Sequence, residues 1–187
     1  MIGELLHRKA FWRVFSFFSQ HPSDEFHLQE LVRRVDLSLR PTHEITRKME
    51  QEDILQSRRM GNLKIFHLNA DNPVAKQLRI VEVIVALSPL LERIKPICDR
   101  IVLFGSCADG TFTPDSDVDL FVITKNKEKV ISIINGLTVG EQELPINIVA
   151  ESYQGVVHMK KKNDVLWGRI ERGINLYEAH DERSGDL

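Results

Sequence analysis

The chain has 187 residues, of which 42% are hydrophobic and 28% charged, with a formal net charge of −2 at pH 7. That length holds one medium domain or two small ones, and no apolar run approaches the ~20 residues that span a bilayer. No short apolar stretch ending in a small-residue cleavage site marks a signal peptide, and two cysteines, Cys98 and Cys107, are too few for a disulfide scaffold. The expectation is a cytoplasmic protein with no membrane partner.

The net charge hides an asymmetry. Residues 1–80 carry thirteen Lys/Arg against ten Asp/Glu, and residues 81–187 carry twelve against seventeen. A basic half followed by an acidic half suggests two modules with different partners.

In the first half, Leu5, Leu6, Phe11, Val14, Phe15 and Phe18 recur at three- and four-residue steps, which predicts one helix over 4–20, ended by His21-Pro22. A second helix is expected over 29–35. A third runs from an N-cap at Ser38 to about Glu52, with Pro41 tolerated in its first turn. Residues 54–59 and 63–68 then flank Met60-Gly61-Asn62 and read as a hairpin. After the loop 69–73, the apolar stretch from Val74 to Leu87 predicts a connector helix that also suits a dimer contact. Pro89 is expected to restart it as a shorter helix to Ile94.

In the second half, strands are expected at 101–104, 118–123, 144–150 and 174–177, with helices at 127–137, 152–162 and 164–172. This is a mixed α/β pattern.

Three helices followed by a hairpin is the order of a winged helix-turn-helix. The third helix of such a module can lie in the major groove of double-stranded DNA, where base edges are read. Arg40, Thr42, His43, Arg47 and Lys48 are the candidate reading residues, and Arg58, Arg59 and Lys64 on the hairpin are candidates for phosphate or minor-groove contact. Glu44, Glu50, Glu52 and Asp53 dilute that positive field. The segment from Phe26 through the hairpin resembles prokaryotic winged-helix regulators. Asp53 stands where that family has a glycine entering the hairpin, and Asp tolerates positive φ better than most residues. The resemblance implies DNA binding, commonly as a two-fold homodimer.

The stretch from Phe104 to Val122 carries the chemistry. Gly105-Ser106 follows the end of a strand, so the backbone can approach a phosphate closely. After a spacer of ten residues come Asp117 and Asp119, two apart and therefore on one face of the next strand. Two adjacent carboxylates repel without a cation, and paired hard oxygens suit Mg²⁺ or Mn²⁺ bridging to nucleotide phosphates.

Residues 88–178, with this Gly-Ser and D-x-D pair and the closing Arg172-Gly-Ile-Asn-Leu-Tyr, resemble the DNA polymerase β-like nucleotidyltransferases, particularly the minimal prokaryotic ones. The resemblance implies that Gly105 and Ser106 hold the triphosphate of an NTP and that Asp117 and Asp119 bind the metal and serve catalysis. This chain departs from the pattern twice. Cys107 and Asp109 occupy a loop where relatives have a basic residue, and Asn147 occupies the third-carboxylate position. An amide cannot act as a general base. Glu143 and Glu151 share the strand parity of Asn147, but each lies about 13 Å along the strand.

The expected architecture is α/β (α+β): a winged helix at 1–72, connector helices at 73–96, a nucleotidyltransferase-like mixed sheet flanked by helices at 97–178, and a tail at 179–187. Three functions stay open. One is a DNA-associated nucleotidyltransferase that uses an NTP and Mg²⁺ on a hydroxyl acceptor, which by family analogy includes a partner toxin protein. The second is a transcriptional regulator whose degenerate domain senses nucleotide or dimerises. The third is an adaptor with both domains inert.

Overall fold

The computed structural model describes residues 2–135, 145–162 and 164–179. Packing divides the chain into two compact units, Met1–Glu82 and Val83–Leu187. The division falls inside the connector stretch.

The first unit begins with α1 (Ile2–Leu6) and α2 (Lys9–Gln20), a correction to the single helix expected over 4–20. The break coincides with one long-range and one nearby contact. Arg8 is extended, with its guanidinium 2.7 Å from Glu44, and Trp12 Nε1 donates to the Leu6 carbonyl at 2.9 Å. In an unbroken helix that carbonyl would accept from a backbone N–H one turn on. Phe11, Val14, Phe15 and Phe18 are fully buried.

A two-residue strand not foreseen in the sequence, β1 (Phe26–His27), leads into α3 (Leu28–Arg34). α4 (Leu39–Gln51) starts after Ser38, as expected, but the cap works through the backbone. The Ser38 carbonyl accepts from both the N–H and the hydroxyl of Thr42. Asp53 takes φ +56° on leaving α4, and the Asn69 side-chain amide bonds both its carbonyl and its carboxylate. β2 (Leu55–Met60) and β3 (Leu63–Leu68) form the hairpin across Gly61-Asn62, and β1 pairs antiparallel with β3, giving the order β1-β3-β2. This succession of helices, short first strand and hairpin is a winged helix-turn-helix.

α5 (Pro73–Ile94) opens on an Asn72 cap whose Oδ1 accepts from the N–H groups of Val74 and Ala75. It runs straight through Pro89, where a restart was expected. Proline removes one ladder hydrogen bond, and the burial of Leu87, Leu90, Leu91 and Ile94 on this stretch outweighs that loss. Among the described residues no helix is long and apolar enough to cross a membrane.

The second unit is built on β4 (Arg100–Phe104), β5 (Val118–Ile123), β6 (Ile146–Glu151) and β7 (Ile174–Glu178), in the order β6-β5-β4-β7. β4 is antiparallel to β5 and β7, and β5 is parallel to β6. α6 (Ser106–Asp109) follows β4, α7 (Lys127–Asn135) follows β5, and α8 (Tyr153–Lys162) and α9 (Asp164–Glu171) lie between β6 and β7. Leu144, expected to open β6, and Glu143 lie outside the described residues, as do 136–137 of the expected helix and 180–187 of the expected tail.

Strand alternation sorts the sheet into two faces. Ile101, Leu103, Val118, Leu120 and Val122 enter a core with the C-terminal part of α5 and with α7, and both cysteines are buried on this side. Val102, Phe104, Phe121 and Ile123 pack on the other side with Val156 and Ile170. Asp119 shares this second parity, so its side chain emerges on the side of α8 and α9.

Candidate functional sites

In the second unit, β4 ends at Phe104 and the chain turns sharply at Gly105, with φ +74° and ψ −157°. Only glycine adopts that conformation readily. A Cβ here would also collide with the Asp119 carboxylate and press on the Arg169 guanidinium. Ser106 then opens α6, so Gly105, Ser106 and Asp119 lie together because β4 pairs with β5 and places Phe104 opposite Asp119.

Asp117 precedes β5 by one residue and is exposed, and its backbone carbonyl accepts from Cys107 Sγ at 3.6 Å. Asp119 is mostly covered, its side chain 18% exposed. On the parallel neighbour β6, Asn147 sits directly opposite Asp119. Its Nδ2 donates to Asp119 Oδ1 at 2.9 Å, and Arg169 lies 3.6 Å from Oδ2. Both carboxylate oxygens therefore face a donor supplied by the chain. Glu151 stands at the far end of β6, 2.5 Å from Lys127, and does not approach Asp119.

Asp117 and Asp119 are the residues that would hold a divalent ion, since Mg²⁺ takes one or two protein carboxylates and completes its shell with water and phosphate. A third carboxylate is not supplied to this pair by the neighbouring strand. Asn147 presents an amide nitrogen to Asp119, and among the described residues no three His, Cys, Asp or Glu gather as a ligand set.

Sequence reasoning missed Arg169 and Arg172. They line a cleft of ≈ 40 Å³ with Gly105, Ala108, Asp109 and Gly173. The signal available was Arg172-Gly173 immediately before the closing strand.

The first unit holds the other candidate site. α4 and the hairpin border a groove of ≈ 470 Å³, lined by His27, Leu39, His43, Arg47, Leu63 and Phe66 among others. The residues expected to meet DNA divide into three groups. Arg40, His43, Arg47 and Arg59 are exposed and make no ion pair among the described residues. Lys48, Arg58 and Lys64 are engaged within the chain: Lys48 lies 3.4 Å from Glu44, Arg58 clasps Glu25 with two nitrogens, and Lys64 lies 2.6 Å from Glu50. Thr42 is fully buried with its hydroxyl on the Ser38 carbonyl, so it is withdrawn from the reading set: it faces the core, one turn from Thr46.

These ion pairs set the local acidity. A hydrogen bond from Arg8, then one from Lys48, holds Glu44 down at about 2. Arg58 lowers Glu25, and Lys64 with Ser57 lowers Glu50.

Residues 86–172 match the family model of the nucleotidyltransferase domain, and this part of the chain is such a domain. Solved structures similar to the chain include the homodimeric winged helix-turn-helix DNA-binding domain Mb0332 of Mycobacterium bovis, a possible ArsR-family transcriptional regulator, at 16% identity and TM-score 0.40 over 49% of this chain and 80% of that one. Rv0081 of M. tuberculosis is similar at 21% identity and TM-score 0.39, over 49% of this chain and 87% of that one. The archaeal chromatin protein TrmBL2 covers 88% of this chain and 70% of its own at 12% identity and TM-score 0.31. These scores are low, and the winged-helix assignment rests on element order and register. No curated protein matches the chain.

Proposed function

We propose that the chain is a DNA-binding regulator whose nucleotidyltransferase domain binds a nucleoside triphosphate with one Mg²⁺ and does not transfer it. The observation that carries this reading is the Asn147–Asp119 hydrogen bond across β5 and β6. Nucleotidyl transfer needs a group that takes a proton from the attacking hydroxyl, and the residue facing Asp119 is an amide that donates instead.

Gly105 and Ser106 approach the triphosphate, and Asp117 and Asp119 hold the metal. When bound, that ion supplies charge neutralisation at the phosphates. In the first unit, His43 and Arg47 on α4 with Arg40 at its start face the major groove, and Arg59 on the hairpin takes a phosphate. The regulator works on double-stranded DNA as a homodimer in the cytoplasm.

Calorimetric titration with each NTP in Mg²⁺ tests this reading. Saturable binding by the wild type that Asp117→Asn weakens, with DNA affinity of the nucleotide-free protein unchanged, is expected; absence of binding for every NTP overturns it. Transfer to a protein hydroxyl is the second reading, favoured by the intact Asp117 and Asp119 pair and by the family match at 86–172.

A further inference from the structure

The cleft beside Gly105 supplies cations from an element distant in sequence. Gly173 presses the chain against β4: a Cβ there would lie 2.5 Å from the Leu103 carbonyl oxygen and 2.7 Å from a Val102 methyl. Its N–H closes the end of α9 by donating to the Ile170 carbonyl at 3.0 Å, and Ile174 then pairs with Leu103. This tight return brings Arg169, on the last turn of α9, and Arg172, in the turn that follows, to the mouth of the cleft that Gly105 lines.

Arg169 rests over the Phe104 ring, 5.7 Å from its centroid, which fixes the guanidinium above the end of β4. Its side chain is 49% exposed while one terminal nitrogen lies 3.6 Å from Asp119 Oδ2, so the ion pair does not cover it. Arg172 is exposed and makes no ion pair among the described residues. Asp109 also lines the cleft. The volume of ≈ 40 Å³ exceeds the ~10–15 Å³ that one water needs. With two arginines lining it, the cleft suits a phosphoryl group. Guanidinium forks match phosphate oxygens in geometry and charge.

We infer that Arg169 and Arg172 are the phosphate-binding cations of this domain and grip the terminal phosphates of a nucleoside triphosphate from α9. The loop after Ser106, with Cys107 and Asp109, has no cation to offer, and the end of α9 provides it. The inference rests on the nucleotide-binding reading and adds the residues that recognise the polyphosphate. Arg169 has two partners: Asp119 alone in the unliganded site, and the phosphate as well when the ligand is bound.

The test is calorimetry in Mg²⁺ buffer with ATP and with inorganic tripolyphosphate as probes. The proteins are full-length wild type, Arg169→Gln, Arg172→Ala and Lys161→Ala, an exposed lysine outside the cleft, each checked for folding by its thermal transition. Tripolyphosphate is expected to bind the wild type. Each arginine variant should lose about ten- to a hundredfold for both probes, the cost of a charge-assisted contact, and Lys161→Ala should bind as wild type. Arg172→Ala removes an exposed side chain, so the test survives a folding defect in Arg169→Gln. Unchanged affinity in both arginine variants, with ATP still bound, overturns the inference and leaves nucleotide binding standing. An equal loss in Lys161→Ala reduces the effect to general charge and also overturns it. If the wild type binds neither ATP nor tripolyphosphate, both readings fall.

Discussion

Asn147 donates its side-chain amide to Asp119 at 2.9 Å across the parallel register of β6 and β5. A carboxylate at position 147 would leave two like charges facing each other in that register, and their repulsion would destabilise the ionised pair. Asn147→Asp is therefore expected to lower stability in EDTA by about 1 kcal/mol, the scale of a lost hydrogen bond, and to recover it with Mg²⁺. Thermal unfolding with and without Mg²⁺ checks this. A variant whose transition responds to Mg²⁺ no more than the wild type would show that a carboxylate at position 147 adds nothing to cation binding beside Asp119.

Gly105→Ala tests the turn itself. The substitution forces an L side chain into φ +74° and drives its Cβ into the Asp119 carboxylate. The expected loss is about 1–3 kcal/mol from backbone strain, together with loss of NTP binding. Denaturant unfolding and calorimetry on the same preparation measure the two effects.

Glu82 gives a pH dependence. Burial pushes its carboxyl above the ordinary range, while hydrogen bonds from Ser16 and Ser19 and the charge of Arg79 pull the other way without overcoming it. An acid with a raised folded pKa holds its proton more tightly in the folded chain. Its stabilising contribution is thus complete below the unfolded value, about 4.3, and is lost as pH rises through the folded value. Glu82→Gln, which cannot ionise and keeps a partner for Ser16, is expected to be more stable than the wild type at pH 7. The difference should vanish near pH 4. Unfolding curves of both proteins across that range decide it, and a variant less stable at pH 7 contradicts the sign.

The DNA face separates available cations from occupied ones. Arg47 on α4 has no ion pair among the described residues, whereas Arg58 is held by Glu25. Arg47→Ala is expected to weaken double-stranded DNA binding by about 1–3 kcal/mol if it reads a base, and the loss should depend on sequence. Arg58→Ala should cost less, because binding through Arg58 first has to release Glu25. Binding curves at several salt concentrations separate the two residues; a larger loss for Arg58→Ala would place the hairpin, not α4, as the main contact.

Much of this was legible from local signals. The three- and four-residue steps of Phe11, Val14 and Phe18, the Gly61-Asn62 turn and the alternation of Val118, Leu120 and Val122 each follow from a local pattern that one element imposes. Asp53 was readable as a positive-φ residue because few other side chains tolerate it. The resemblance put Asn147 at the third-carboxylate position on a later strand, and the structure pairs it with Asp119 across β5 and β6. What stayed hidden depends on long-range partners. The break at Arg8 requires Glu44, 36 residues away. Thr42 looked like a DNA contact because its type is polar, and only the packing of α4 shows that it faces inward. The helix through Pro89 depends on leucines buried against a sheet formed later in the chain. Arg169 and Arg172 enter the site through the β4–β7 pairing, which no local pattern announces.

The most direct measurement of the central claim uses an NTP labelled at the α-phosphate, with Mg²⁺ and host lysate as acceptor, counted on the protein fraction before and after denaturation. The account predicts label retained by the native wild type, reduced in Asp117→Asn, and released entirely on denaturation. Label that remains covalently on any product after denaturation, and is lost in Asp117→Asn, would contradict it and establish nucleotidyl transfer despite Asn147.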